Sequence, residues 1–194
     1  LTLDLKNPKA TEIVHKLVAK ADVIVENFKP GTIERLGFGY KSMRAIKPEL
    51  VYASISGFGQ TGPRASLPAF DGAIQAYSGM MSISGHAETG PVRSGYFSVD
   101  MSTALNAAFA ITAALLRRAN TGEGQRIDVS MLDTAIFMQS PQMTGYLVTG
   151  KAPELNGNAS PTKQPTSNVF ASSNGYVQVL SLIHISEPTR RSYI

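Results

Sequence analysis

Apolar residues recur along this chain in two periods, and the switches between them mark out its elements. Residues 1–5 (LTLDL) alternate as a short strand does. Asn7-Pro8 then opens a helix, with proline at a first-turn position and Ile13, Val14, Leu17 and Val18 on one face. Residues 22–26 (DVIVE) read as a buried-type strand. Residues 32–36 and 41–46 make a helical turn or two each, Pro48 stops the second, and 50–56 (LVYASIS) return to strand. Strands and helices at this spacing predict right-handed crossovers in a parallel sheet.

Further along, 71–77 are helix-like and end at Ser78-Gly79, and 84–93 form a polar loop. From Asp100 to Arg118 the chain is apolar nearly all round, which predicts a buried helix, with Met101 and Met131 as core filler. Thr121-Gly122-Glu123-Gly124 breaks that helix before a strand at 125–130. Residues 131–147 form a second helix, interrupted at Pro141. The 150–167 stretch is rich in Pro, Asn and Thr. Asn174-Gly175 behind it is a hairpin signal that changes the pattern from parallel to antiparallel.

Composition narrows the function classes. The 194 residues are 43% hydrophobic and 16% charged, as in a globular chain, and the apolar run at 101–116 is interrupted by Ser, Thr and Asn, so no membrane span is expected. Cysteine is absent, which excludes disulfides, thiolate metal sites and a Cys nucleophile. Net charge is +4 with Lys and Arg mostly scattered singly, which argues against nucleic acid and suits a small polyanion. His15 sits on a polar helix face and His86 has no partner at catalytic or metal-ligand spacing, so no metal site is expected.

Ligands of parallel sheets bind where strands deliver their carboxyl ends into loops. Three stretches fit: 27–31, 57–69 and the approach to Asp100. The glycines of 57–63 let backbone approach a ligand closely, but they match neither a P-loop nor a dinucleotide fingerprint. Asp100 falls where a helix N-cap belongs. Two readings stand at this point: a carboxylate that only satisfies first-turn amides, or one that attacks a substrate.

Four blocks in order carry a family resemblance: Ala21 to Gly31 (ADVIVENFKPG), Ser54 to Pro63 (SISGFGQTGP), Asp100 before its Ala-rich helix, and Thr121 to Gln125 (TGEGQ). Together they resemble the family III CoA-transferases of the CaiB/BaiF type. The resemblance implies an α/β fold, the Rossmann-like parallel sheet with flanking helices of that family's large domain, truncated at both ends. It implies a CoA-binding catalytic domain at 1–150, a linker at 151–167 and the start of a second, small domain at 168–180. Residues 181–194 share neither the periodicity nor the chemistry before them and read as a non-native, adapter-like tail.

By the same resemblance Asp100 is the nucleophile, forming an acyl–aspartyl anhydride and then an aspartyl-CoA thioester while CoA moves between an acyl-CoA and a carboxylic acid. Leu3, Lys6, Asn27, Phe28, Lys29, Arg35, Phe70 and Asp71 are implied as CoA-contacting positions, with coenzyme A as substrate and no permanently bound cofactor. Phe offers a stacking face and Lys and Arg suit phosphates. A cytoplasmic location and an interlocked homodimer of the full-length chain are implied as well. Two departures narrow the reaction. Racemases of this family carry a His at the place of Phe70, and phenylalanine cannot take a proton. Formyl/oxalate-type members carry Lys and Tyr at the places of Pro68 and Phe70. A racemase or dehydratase-type member of the same family, and a non-catalytic nucleotide-binding module, are the alternatives.

Overall fold

A computed structural model describes residues 1–162, 164 and 167–180; the expected tail at 181–194 lies outside the described residues. The chain opens not with a strand but with a turn. Asp4 accepts from Asn7 N–H through its carbonyl and from Lys6 N–H through its carboxylate, and this turn leads directly into α1 (Pro8–Val18). Alternation over five residues specifies a strand only where a neighbour strand waits to pair with it, and none pairs with it among the described residues. Asn7 caps α1 through Lys9 N–H, with Pro8 in the first turn as expected.

The order that follows is β1 (Val23–Glu26), α2 (Thr32–Arg35), α3 (Tyr40–Ile46), β2 (Val51–Ser56), α4 (Asp71–Tyr77) and α5 (Met80–Ile83). A small hairpin comes next, β3 (Gly85–His86) with β4 (Gly90–Pro91). It is followed by α6 (Ser98–Thr121), β5 (Gln125–Ser130), α7 (Met131–Met138), α8 (Ser140–Thr149) and the hairpin β6 (Ser167–Ser172) with β7 (Gly175–Leu180). The main sheet runs β1-β2-β5, parallel throughout, with Val23 opposite Val51 and Val51 opposite Gln125. The parallel α/β architecture expected from the spacing is the one observed.

Helices cover both faces. On one face Val18, Ile33, Phe38, Met43, Leu50 and Tyr52 form a core. Tyr52 is fully buried and donates its hydroxyl to the Phe38 carbonyl at 2.9 Å. Burial, and after it the Glu26 carboxylate, push that phenol up, so it stays protonated and keeps donating. On the other face Ala107 and Ala114 of α6 pack on Val51, Ala53, Ile127 and Val129. Small residues there let the helix lie close against the sheet. A third cluster, Ile74, Val99, Met131 and Ala135, locks α4, α6 and α7 together at the carboxyl ends of the strands.

Two expectations about burial need correction. Residues 22–26 were expected as a buried strand, yet Val25 is 54% exposed, because β1 is the outer strand of the described sheet. The 24-residue α6 is long and apolar enough to cross a bilayer by length and composition alone, contrary to the reading of a short interrupted run. Nor is it buried all round: Met101, Leu105, Phe109 and Leu116 form an exposed apolar stripe, with Met101 at its head rather than in the core. Its other face is the one seated on the sheet.

The Thr121–Gly124 break has two separate physical reasons. Gly122 ends α6 in the left-handed region at φ 74°, and its N–H returns to the Arg118 carbonyl. A Cβ on Gly124 would collide with the Leu50 carbonyl and the Glu49 backbone. Gly124→Ala is therefore expected to push β5 away from the start of β2 and cost about 1–3 kcal/mol, read as a lower denaturation midpoint. Arg118 clamps the same corner, donating to the Asp22 and Glu49 carbonyls and to the Asp22 carboxylate at 3.0 Å.

Candidate active site

The carboxyl ends of β1 and β2 open into a cavity of about 420 Å³. The loop after β1 brings Asn27, Phe28 and Lys29 to it. The end of β2 brings Ser56 and Gly57, the start of α4 brings Asp71, and the start of α6 brings Asp100. The first of these loops is pinned at both ends. Phe28 N–H donates to the Glu26 carboxylate at 2.8 Å, and the Asn27 amide donates to the Ile55 carbonyl at 2.8 Å. Gly57 has no room for a side chain, since a Cβ there would overlap that of Ala69. The second loop is thereby folded back onto the strand end.

Asp100 is not the helix cap. α6 begins at Ser98 after Phe97, so Asp100 is its third residue and its side chain is exposed. The capping carboxylate comes from another helix. Asp71, 4% exposed, accepts through Oδ2 from Val99 N–H at 2.8 Å and from Asp100 N–H at 3.1 Å. Through Oδ1 it accepts from Gln75 Nε2 at 2.6 Å. Gln75 in turn binds Ser94, donating to its hydroxyl at 2.8 Å and accepting from its N–H at 3.0 Å. This buried network fixes the backbone that carries Asp100 and leaves the Asp100 carboxylate free of that duty. It also occupies the amides of Val99 and Asp100, so neither is open to an oxyanion.

Partial desolvation by the cavity wall, and after it the neighbouring Asp71 charge, raise the pKa of the largely exposed Asp100 above the ordinary carboxylate value. A carboxylate with a raised pKa is a somewhat stronger nucleophile once ionised. Ser56 is buried and its hydroxyl has no hydrogen-bond partner among the described residues, although it lines the cavity. A ligand polar atom would satisfy it.

Of the positions singled out in the sequence, Asn27, Phe28, Lys29, Phe70, Asp71 and Asp100 share this cavity. Leu3, Lys6 and Arg35 do not line it. Leu3 precedes the Asp4–Asn7 turn and Lys6 lies within it, and Arg35 closes α2 with its guanidinium on the Thr32 hydroxyl at 3.0 Å. Sequence reasoning missed Arg93, Ser56 and Phe97, which also line the cavity. A larger hollow of about 560 Å³ between α8 and residues 151–162 contains none of the expected site residues.

Comparison with known proteins follows the same lines. A family model described as "CoA-transferase family III" matches residues 1–184. The chain is 40% identical over 165 residues to the succinate–glutarate CoA-transferase of Agrobacterium fabrum, covering 85% of this chain and 41% of that protein. It is 44% identical over 167 residues to the acetyl-CoA:oxalate CoA-transferase of Acetobacter aceti, covering 85% and 43%. Among solved structures, a CAIB/BAIF family protein from Brucella suis superposes with a TM-score of 0.85 at 40% identity, covering 91% of this chain and 46% of that one. The chain thus spans less than half the length of the curated relatives it matches.

Proposed function

This chain belongs to CoA-transferase family III, and on that premise we propose that it forms part of an enzyme moving CoA between an acyl-CoA and a free carboxylic acid, with Asp100 as the covalent nucleophile. The supporting observation is the placement of Asp100 in the cavity at the strand ends, on a backbone that Asp71 holds and with its own carboxylate unspent. Both curated relatives named above carry a dicarboxylic acid in their names, succinate with glutarate and oxalate. We take a diacid as the acceptor class on that ground.

In the first step an Asp100 carboxylate oxygen attacks the thioester carbonyl, the C–S bond breaks and CoA thiolate leaves, giving an acyl–aspartyl anhydride. The thiolate then attacks the Asp100 carbonyl carbon and expels the donor acid, leaving an aspartyl-CoA thioester. An acceptor carboxylate displaces the thiolate again, and the thiolate reclaims the acceptor's acyl group, restoring Asp100. Each step exchanges one activated acyl bond for another, so one difficult transfer becomes several easier ones. The loop at 27–29 supplies an aromatic face in Phe28 and an ammonium in Lys29 for the CoA portion. Leu3, Lys6 and Arg35 lie outside this cavity and would meet CoA only where it extends beyond it. The exposed stripe of α6 and the partial span suit a face that a second protomer covers in a full-length homodimer. A cytoplasmic location fits soluble CoA thioesters as substrates.

Mass spectrometry of the complete protein tests the covalent step. After incubation with acyl-CoA and then hydroxylamine, peptides containing Asp100 are expected to carry a hydroxamate. An unmodified Asp100 in a protein that turns over would sink the assignment.

A further inference from the structure

Every described arginine but one is engaged. Arg35 binds a hydroxyl, Arg117, Arg118 and Arg126 pair with carboxylates, and Arg44 and Arg64 stand over the rings of Tyr40 and Tyr77. Arg93 has no ion pair, hydrogen bond or ring partner among the described residues, and it is the arginine that lines the Asp100 cavity. Its position is set by a missing side chain. A Cβ on Gly72 would lie 3.2 Å from Arg93 Cδ and 3.4 Å from Nη1, so glycine next to Asp71 lets the guanidinium rest against the start of α4.

The charges around the cavity show what this guanidinium waits for. The lining carries Lys29, Arg93, Asp71 and Asp100, two of each sign. Asp71 is already committed to the α6 amides and to Gln75. Once Asp100 is carried as an anhydride or thioester its charge is gone, and with Lys29 given to CoA and Asp71 to the α6 amides the Arg93 guanidinium is left without a counter-charge. An anionic group is then favoured at the moment the acceptor must enter. A guanidinium presents a planar fork of N–H donors matched to a carboxylate.

We propose that Arg93 is the specificity-determining residue of this site, holding the distal carboxylate of a dicarboxylic acid while the other carboxylate reacts at Asp100. This rests on the reading of Asp100 as nucleophile and goes further by naming the group that selects the acid. Neither carboxylate is altered at Arg93; the contact there is an ion pair made on binding. Phosphate oxygens of CoA offer similar chemistry to a guanidinium, and the test separates the two sources.

The experiment uses the complete protein, with Arg93→Gln and Arg93→Lys beside the wild type. Acetyl-CoA serves as the donor, since its acyl group carries no second carboxylate, and glutarate and pentanoate serve as acceptors. Arg93→Gln is expected to lower kcat/KM for glutarate about 30-fold, the scale of one lost charge-assisted hydrogen-bond pair, while pentanoate moves less than about threefold. Arg93→Lys should fall between, because it keeps the charge and loses the fork. Equal loss with both acceptors, a loss that appears as a raised KM for acetyl-CoA, or a wild type with no preference for the diacid each overturns the proposal. The hydroxamate at Asp100 is read in the same wild-type samples. Its absence would count against the nucleophile, whereas its presence with an unchanged glutarate-to-pentanoate ratio in Arg93→Gln would count against Arg93 alone.

Discussion

Replacing Asp100 with asparagine is expected to abolish transfer, lowering kcat by roughly 10⁴-fold or more. An amide oxygen at that place keeps the shape but cannot form the anhydride, so the loss should fall on kcat and leave the KM for acyl-CoA nearly unchanged. The same variant makes a second, opposite prediction about stability. Burial and the Asp71 charge raise the Asp100 pKa in the folded state, so ionising this group at neutral pH works against folding. The stabilising contribution of the protonated form is fully present below the ordinary carboxylate pKa and is lost as pH rises through the raised value. Asparagine is neutral throughout. Asp100→Asn should therefore melt higher than the wild type at pH 7, with the gap closing toward about pH 3. A variant that melts with the wild type at both pH values would show that neither burial nor the Asp71 charge disfavours the ionised Asp100.

The other large effect is expected at Asp71. Asp71→Asn keeps one oxygen for the α6 amides but turns an NH₂ toward Gln75, which also donates there. The misfit is expected to cost about 1–3 kcal/mol of stability, measured by denaturant unfolding. Activity should fall roughly 10- to 100-fold as the backbone under Asp100 loosens. Loss of structure alone would lower the rate equally at every pH. Removing the charge does more: it relieves the electrostatic part of the Asp100 shift, so the acid limb of the pH–rate profile should move to lower pH. Lys29 and Arg93 also line the cavity and are unchanged in this variant, so a movement of the limb reports the loss of the Asp71 charge. An acid limb that stays in place would assign Asp71 a purely structural part.

Much of this architecture was legible in the chain. Proline at the start of α1, the glycine that ends α6, and Asn174-Gly175 between β6 and β7 are local signals, and each ends or begins an element where expected. Residues 1–5 failed because alternation cannot say whether a pairing strand is within reach. The exposed stripe of α6 failed for a related reason. A helix apolar on every side predicts burial, but which surface buries each side is not written in the helix. At the site, the loop at 27–29 and Asp100 were legible through a linear motif, whereas the cap of α6 was not. Asp71 lies almost thirty residues before the amides it binds, and no local spacing links them. Arg93 was hidden at the end of a polar loop, and the only clue to it was the absence of a side chain at Gly72.

The register of the main sheet has a consequence for how the chain emerges from the ribosome. β2 is the middle strand, yet its partner β5 is translated about 70 residues later. At about 5–20 residues per second, the open edge of β2 would wait for several seconds, up to roughly fifteen, before β5 could close it. During that interval Asp100 cannot meet Asp71 until α6 has cleared the exit tunnel. Synonymous codons that slow translation between Ser56 and Gln125 should thus lengthen the exposure of an unpaired edge and raise the yield of aggregated chain, with no change in the finished sequence.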